Sequence, residues 1–292
     1  MRLNKKTFRI NPVLLKELKL KTRGWKTGLL IGGYNLVLAV LAIFIIKVTM
    51  NDSIGVVTSR NVLETYAFIA AVQFGLIVLI APALTSGAIS GEREKQTLDI
   101  LLSTTLRHGS IIAGKLFASI SYIILLIASS IPVFSIIFLY GGIGTKEIIQ
   151  VFIFYIVMAI TFGSIGIFFS TFLRKSTAAN VLTYAFVIFM FLGTLFITIM
   201  YVQLVIRRYN PQYNETFWLM YLNPGAAIFS LIAYQFGQGG GSVIPGLYIS
   251  GKQTGLQLWH INALIDLGLS FILLFLSALK LNPAKSSIFN KR

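Results

Sequence analysis

The residues of this chain that could do chemistry are few, and most fail on closer inspection. Gly109-Ser110-Ile111-Ile112-Ala113-Gly114-Lys115 matches most of a phosphate-binding loop. Leu116 stands where a hydroxyl would ligate magnesium, and no strand-like run precedes it, so ATP binding is not expected here. Lys115 is expected to snorkel toward headgroups instead. The two histidines, His108 and His260, lie far apart. Neither has a His or carboxylate at ligand spacing, which excludes a metal centre or a paired-histidine protease site. There is no Gly-x-Ser-x-Gly elbow and no cysteine. The expectation is no catalytic residue and no metal. What remains is acid in unusual places. Glu92, Glu94 and Asp99 crowd one short insert, Ser90–Ser103, and Asp266 stands inside an apolar run.

The segments that must position these acids are membrane-like. The chain is 56% hydrophobic and 12% charged, against about 25% charged in an ordinary soluble domain. Six apolar runs, near 28–46, 65–89, 111–140, 148–172, 177–206 and 257–279, exceed the roughly 20 residues needed to cross a bilayer. Pro82 and Pro132 are expected kink points. The first run is too long for a signal-peptide core and lacks a cleavage site. The net charge of +16 first suggests nucleic acid, but topology explains it better. With the amino terminus inside, residues 1–27, 90–115, 174–175 and 280–292 hold nineteen Lys and Arg; the outer loops hold six. That asymmetry puts both termini in the cytoplasm of a multi-pass plasma-membrane protein. Membrane lipid and an acidic cytoplasmic partner then replace DNA as expected contacts. With no repeat and no linker, residues 1–292 read as one membrane domain.

Three segments outside the runs carry pattern. Residues 11–26 suit an interfacial helix. Asn11 and Pro12 open it, Leu14, Leu18 and Trp25 share a face, and Lys16, Lys19 and Arg23 share another. The competing reading is a solvated basic tail. Residues 96–106 place Leu98, Leu101, Leu102 and Leu106 at helical spacing, with Asp99 in the first turn. Residues 207–256 are dense in aromatics and are divided by Asn223-Pro224-Gly225, which suits short helices at the outer leaflet. Reading 216–236 as a seventh span would carry Lys280 to Arg292 outside, against the charge asymmetry.

Within the runs, Asn35, Gln73, Asn180, Asn262 and Asp266 are the candidate lining of a polar path. Interhelical hydrogen bonding is the plainer account of Asn35, Gln73 and Asn180. Asn262 and Asp266 share a helical face. Asp266 either lines the path or locks helices, or it sits near the outer interface. Gly87 and Gly91 have the spacing for close helix approach, as do Gly163 and Gly166.

The run from Gly91 to Ser103, followed by Gly114-Lys115-Leu116, resembles the permease subunits of type-2 ATP-binding-cassette exporters. A Glu-x-Glu pair (Glu92, Glu94), a Thr-Leu-acid-x-Leu-Leu core (Thr97, Leu98, Asp99, Leu101, Leu102) and a downstream Gly-Lys stand in the family's positions. Thr105 departs from it, near where a proline is frequent. The resemblance implies an all-α membrane protein with six transmembrane helices and short outer helices between the last two. It makes 11–26 an elbow helix and 90–108 a cytoplasmic coupling loop. Glu92, Arg93, Glu94, Thr97, Leu98, Asp99, Leu101, Leu102 and Leu106 would then seat in a separate nucleotide-binding ATPase, which binds the ATP and magnesium. It also implies a second permease copy, the same chain or a different one. Apolar spans suit a hydrophobic or amphipathic cargo: peptide, antibiotic or lipid-like. Polysaccharide or sodium export, an ATPase-linked scaffold that moves no cargo, and a membrane enzyme are the other readings.

Overall fold

Among the described residues of the computed structural model, six helices are long and apolar enough to cross a membrane. The structure describes residues 25–51, 59–103, 108–139, 143–210, 213, 215–237, 241–244, 246–249 and 255–281. The first span lies in α1 (Trp25–Asn51) and the second begins in α2 (Ser59–Thr85). After α2 come two short helices, α3 (Ser90–Glu94) and α4 (Leu98–Leu102). The third span is split into α5 (His108–Ser129) and α6 (Ile131–Leu139). The fourth is α7 (Thr145–Phe172), the fifth is α8 (Ser176–Tyr209), and the sixth is described last. The expected interfacial helix lies outside the described residues except for Trp25, which stands exposed in α1. Leu106 and Thr105 lie outside them too.

The helix α7 is the hub. Buried residues make up 67% of its most apolar window, against 17% for α1 at the edge. Phe154, Tyr155, Met158 and Phe162 on α7 join Tyr66, Phe74 and Ile77 from α2 in one continuous apolar core. Burial on all sides suits a helix that is apolar around its whole circumference. Gly166 permits the closest approach: a Cβ there would overlap the Thr85 hydroxyl and lie 3.1 Å from the Ser86 backbone nitrogen. Gly87 and Gly91 do not act this way within the chain, since a Cβ at either meets nothing within 4 Å.

Proline places the break in the third span. Pro132 cannot donate a helical N–H, and the chain turns at Ser130, whose hydroxyl bonds the Ile127 carbonyl at 2.7 Å. Pro82 falls three residues before α2 ends at Thr85. In α8 the ladder slips twice into π turns, at Phe189–Gly193 and Val202–Ile206.

The far end differs from the expected set of short helices. A 3-10 turn (Trp218–Leu222) leads to α9 (Pro224–Gln235). An antiparallel hairpin follows, β1 (Gly241–Ile244) and β2 (Leu247–Ile249), then the sixth span, α10 (Leu258–Leu281). At twelve residues α9 is too short to cross the membrane. Between β1 and β2, Gly246 has φ of +83° and sits against Thr198 and Val202 of α8.

Candidate functional site

The segment 86–103 hangs beneath the bundle at the end where the chain is most basic. Its entry is pinned to α7: the backbone N–H groups of Ile89 and Ser90 both donate to the Ser170 hydroxyl, at 2.8 and 3.0 Å. Three consecutive charges follow, and each meets a different span. The Glu92 carboxylate pairs with Lys115 of α5 at 3.2 Å. The Arg93 guanidinium donates to the carbonyls of Leu173 and Thr171, at 3.1 and 3.3 Å, where α7 ends. The Glu94 carboxylate accepts the Ser176 backbone N–H at 2.9 Å and its hydroxyl at 2.6 Å, where α8 begins. A cation at a helix C-terminus and an anion at a helix N-terminus each oppose the end charge of the helix dipole. One turn of chain thus grips three spans. Lys115 does not reach toward headgroups, as its sequence position suggested. It is 6% exposed and its ammonium pairs with the Glu92 carboxylate.

The expected single helix over 96–106 is two pieces. Gln96 adopts φ of +58°. The Gln96 N–H bonds the Arg93 carbonyl at 3.1 Å and the Thr97 N–H bonds the Glu92 carbonyl at 2.9 Å, which is the Schellman stop. The Thr97 hydroxyl also bonds the Glu92 carboxylate. In α4, Leu98 is buried, and Leu102 packs beside it, in a cluster with Ile89, Ile112, Leu116, Ile167 and Leu281. The leucine face expected to enter a partner is therefore turned onto the chain's own bundle, which offers it an apolar bed. The outward residues are Asp99, Ser103 and Ile100, the last 69% exposed, with Leu101 half-buried.

The five intramembrane polar residues lie at three separate places. Asn35 and Gln73 meet at the break in the third span, donating to the hydroxyls of Ser129 and Ser130, both at 2.9 Å. Asn180 accepts from the Ser86 hydroxyl near the basic end. Asn262 and Asp266 share the buried face of α10. The Asn262 amide donates to the Tyr221 carbonyl at 2.8 Å, and neither carboxylate oxygen of Asp266 has a hydrogen-bond partner. Ser270 bonds the Asp266 carbonyl at 2.7 Å and approaches Thr161 of α7 at 3.4 Å. Asp266 is fully buried within the protein.

Ser170 and Ser176 were not singled out in the sequence, because a serine in an apolar run reads as a neutral space-filler. The signal available for Ser176 was its place at the start of a span just after Arg174-Lys175. Residues 109–115, the partial phosphate-loop match, form the first turns of α5, so their N–H groups from the second turn on serve the helix ladder.

No curated protein matches the chain. The family model described as ABC-2 family transporter protein matches residues 16–282, which takes in all six spans and the 86–103 segment. With the fold and that match together, the chain belongs to the ABC-2 transporter family and is a permease subunit of an ATP-binding-cassette transporter.

Proposed function

We propose that this permease exports a hydrophobic or amphipathic molecule across the plasma membrane, driven by a separate ATPase chain that engages α3–α4 from the cytoplasm. The observation that carries this reading is the grip of Glu92, Arg93 and Glu94 on the ends of α5, α7 and α8. A push on this short element reaches three spans at once, while Asp99 and Ile100 face outward. The ATPase supplies ATP and magnesium chemistry. On this chain, Ile100, Asp99 and Leu101 make the contact, Leu98 and Leu102 seat α4 on the bundle, and the three charges transmit the motion. The excess of Lys and Arg at this end supports its cytoplasmic placement.

A second permease copy belongs to the reading. The interior of one chain is filled by Phe74, Phe154, Tyr155 and Phe162, and its polar residues lie at separate places. The path for cargo therefore runs between two chains. The apolar spans suit a peptide, an antibiotic or a lipid-like compound.

The test is purification of the tagged chain from its native membrane, with mass spectrometry of co-purifying chains and an ATPase assay. A stoichiometric ATPase partner is expected. Ile100→Asp should release it with the permease intact, and Glu94→Ala should keep it bound but uncouple ATP turnover from cargo. Full coupling in both variants would overturn the assignment of α3–α4.

A further inference from the structure

Beside α4 a cleft of about 830 Å3 runs between the ends of α7 and α10. Among the described residues, Arg93, Arg174 and Lys280 line it, with Asp99 as the carboxylate. Three cations against one anion make this described lining positive. Two of these cations have defined supports. Arg93 is held by the two carbonyls at the end of α7, which use two of the five N–H donors of a guanidinium. Lys280 lies over the Phe172 ring, 5.9 Å from its centre. Arg93 and Arg174 are close enough to repel one another. Holding like charges together is costly, and an anion between them lowers that cost. Leu98 and Phe172 add apolar wall, and the cleft lies where two spans, Thr145–Phe172 and Leu258–Leu281, end.

We propose that this cleft binds a phosphate-bearing anion. A guanidinium fork matches phosphate oxygens in pairs, and basic pockets between helix ends are suited to anionic headgroups. The volume accommodates a glycerophosphate head. The apolar wall and the depth at the span ends suit an anionic phospholipid, whose acyl chains remain in the bilayer. A soluble phosphate offers the same charge and the same oxygens. With a phosphate bound, Arg93 and Arg174 are bridged, so the ligand braces α3 against the ends of α7 and α10. This inference does not depend on an ATPase partner or a cargo.

The experiment uses the full chain in nanodiscs, with thermal unfolding as the readout. One arm titrates phosphatidylglycerol into phosphatidylcholine. A second keeps phosphatidylcholine alone and adds inorganic phosphate. The variants are Arg174→Gln, Lys280→Gln and the double, with Lys175→Gln as a charge-matched control outside the cleft. Arg174 is exposed, so its variant should fold. Phosphatidylglycerol should raise the midpoint of the wild type and of Lys175→Gln alike. Each cleft variant should lose part of that shift and the double most of it. The same pattern with inorganic phosphate in phosphatidylcholine would keep the site and assign a soluble source. Equal loss in Lys175→Gln and Arg174→Gln, or no shift in either arm, would overturn it.

Discussion

The two ends of the bundle are held by opposite means. At the basic end, three side-chain charges grip helix ends and the Ser170 hydroxyl holds the chain entering them, all from one short element. At the far end the ties are neutral amides and hydroxyls, most of them buried. Asn223 donates to the Phe191 carbonyl and the Thr194 hydroxyl, at 2.8 and 2.9 Å, and caps α9 by accepting from Ala226. Gln235 bridges the Tyr66 hydroxyl and the Glu147 carbonyl, at 2.8 and 2.9 Å. Phe191 lies midway along α8, so the start of α9 is anchored deep in the bundle. Irregular backbone at that depth is tolerated only where protein surrounds it, and Asn223 is buried there. The far end is tied within itself through Asn223 and Gln235. The basic end ties spans together yet leaves Asp99 and Ile100 uncovered. A force applied to α4 would pass through α3 to several helices.

The comparison is broken most severely at the Glu92–Lys115 pair. Glu92→Ala removes the carboxylate facing a nearly buried ammonium. Breaking a buried pair from one side costs about 3–5 kcal/mol; Glu92 is a third exposed, so about 3 is expected. Chemical or thermal unfolding in detergent checks this. Adding Lys115→Met should recover much of the loss, because it removes the buried charge that Glu92 had offset. Equal stability of the single and double variants would show that the pair does not hold α3 to α5. At the far end, Asn223→Ala removes a helix cap and the amide donor to the Phe191 carbonyl and Thr194 hydroxyl of α8. The expected cost is about 2 kcal/mol. Since the far end is self-contained, the ATP turnover rate per folded molecule should stay unchanged.

Glu94→Ala is smaller in stability and larger in function. The carboxylate caps α8 at an exposed site, so about 1 kcal/mol is expected. If the two ends differ as described, this modest loss uncouples transport while the larger loss at Asn223 does not. The reverse ranking in a coupled ATPase assay would erase the distinction between the ends.

Much of this was legible in the sequence because a bilayer is a strict solvent. Six runs of sufficient length could only be spans, and among the described residues six helices long and apolar enough begin at Thr27, Asn61, Gly109, Thr145, Ser176 and Leu258. The acidic insert stood out because charge is scarce elsewhere. What could not be read was direction. Leu98 and Leu102 lie on an amphipathic face in either reading, and the pattern does not say whether the apolar bed belongs to a partner or to the chain itself. The hairpin near Gly246 and the π turns of α8 were hidden for a related reason: both depend on contacts with distant residues, such as Asn223 with Phe191. Asn35 and Gln73 looked like path residues because a hydrogen-bond donor in a span carries no label for its acceptor.

The smallest effect expected concerns Gln96, and it separates geometry from sequence at the basic end. Its φ of +58° closes the Schellman turn between α3 and α4. A residue with a Cβ in that conformation costs roughly 1–2 kcal/mol. Glycine removes the cost but loses roughly 0.5–1 kcal/mol of unfolded-state entropy. Gln96→Gly should therefore stabilise by about 0.5 kcal/mol, read as a small rise in the unfolding midpoint. Gln96→Val should do the opposite, because a β-branched side chain resists positive φ. Both variants leave the charges of Glu92, Arg93 and Glu94 in place. If Gln96→Gly raises stability and keeps coupling, the angle between α3 and α4 is set by the backbone turn alone. If it raises stability but weakens coupling, the strain at Gln96 holds α4 in the orientation that exposes Ile100 and Asp99, and the basic end is tuned for contact at the expense of stability.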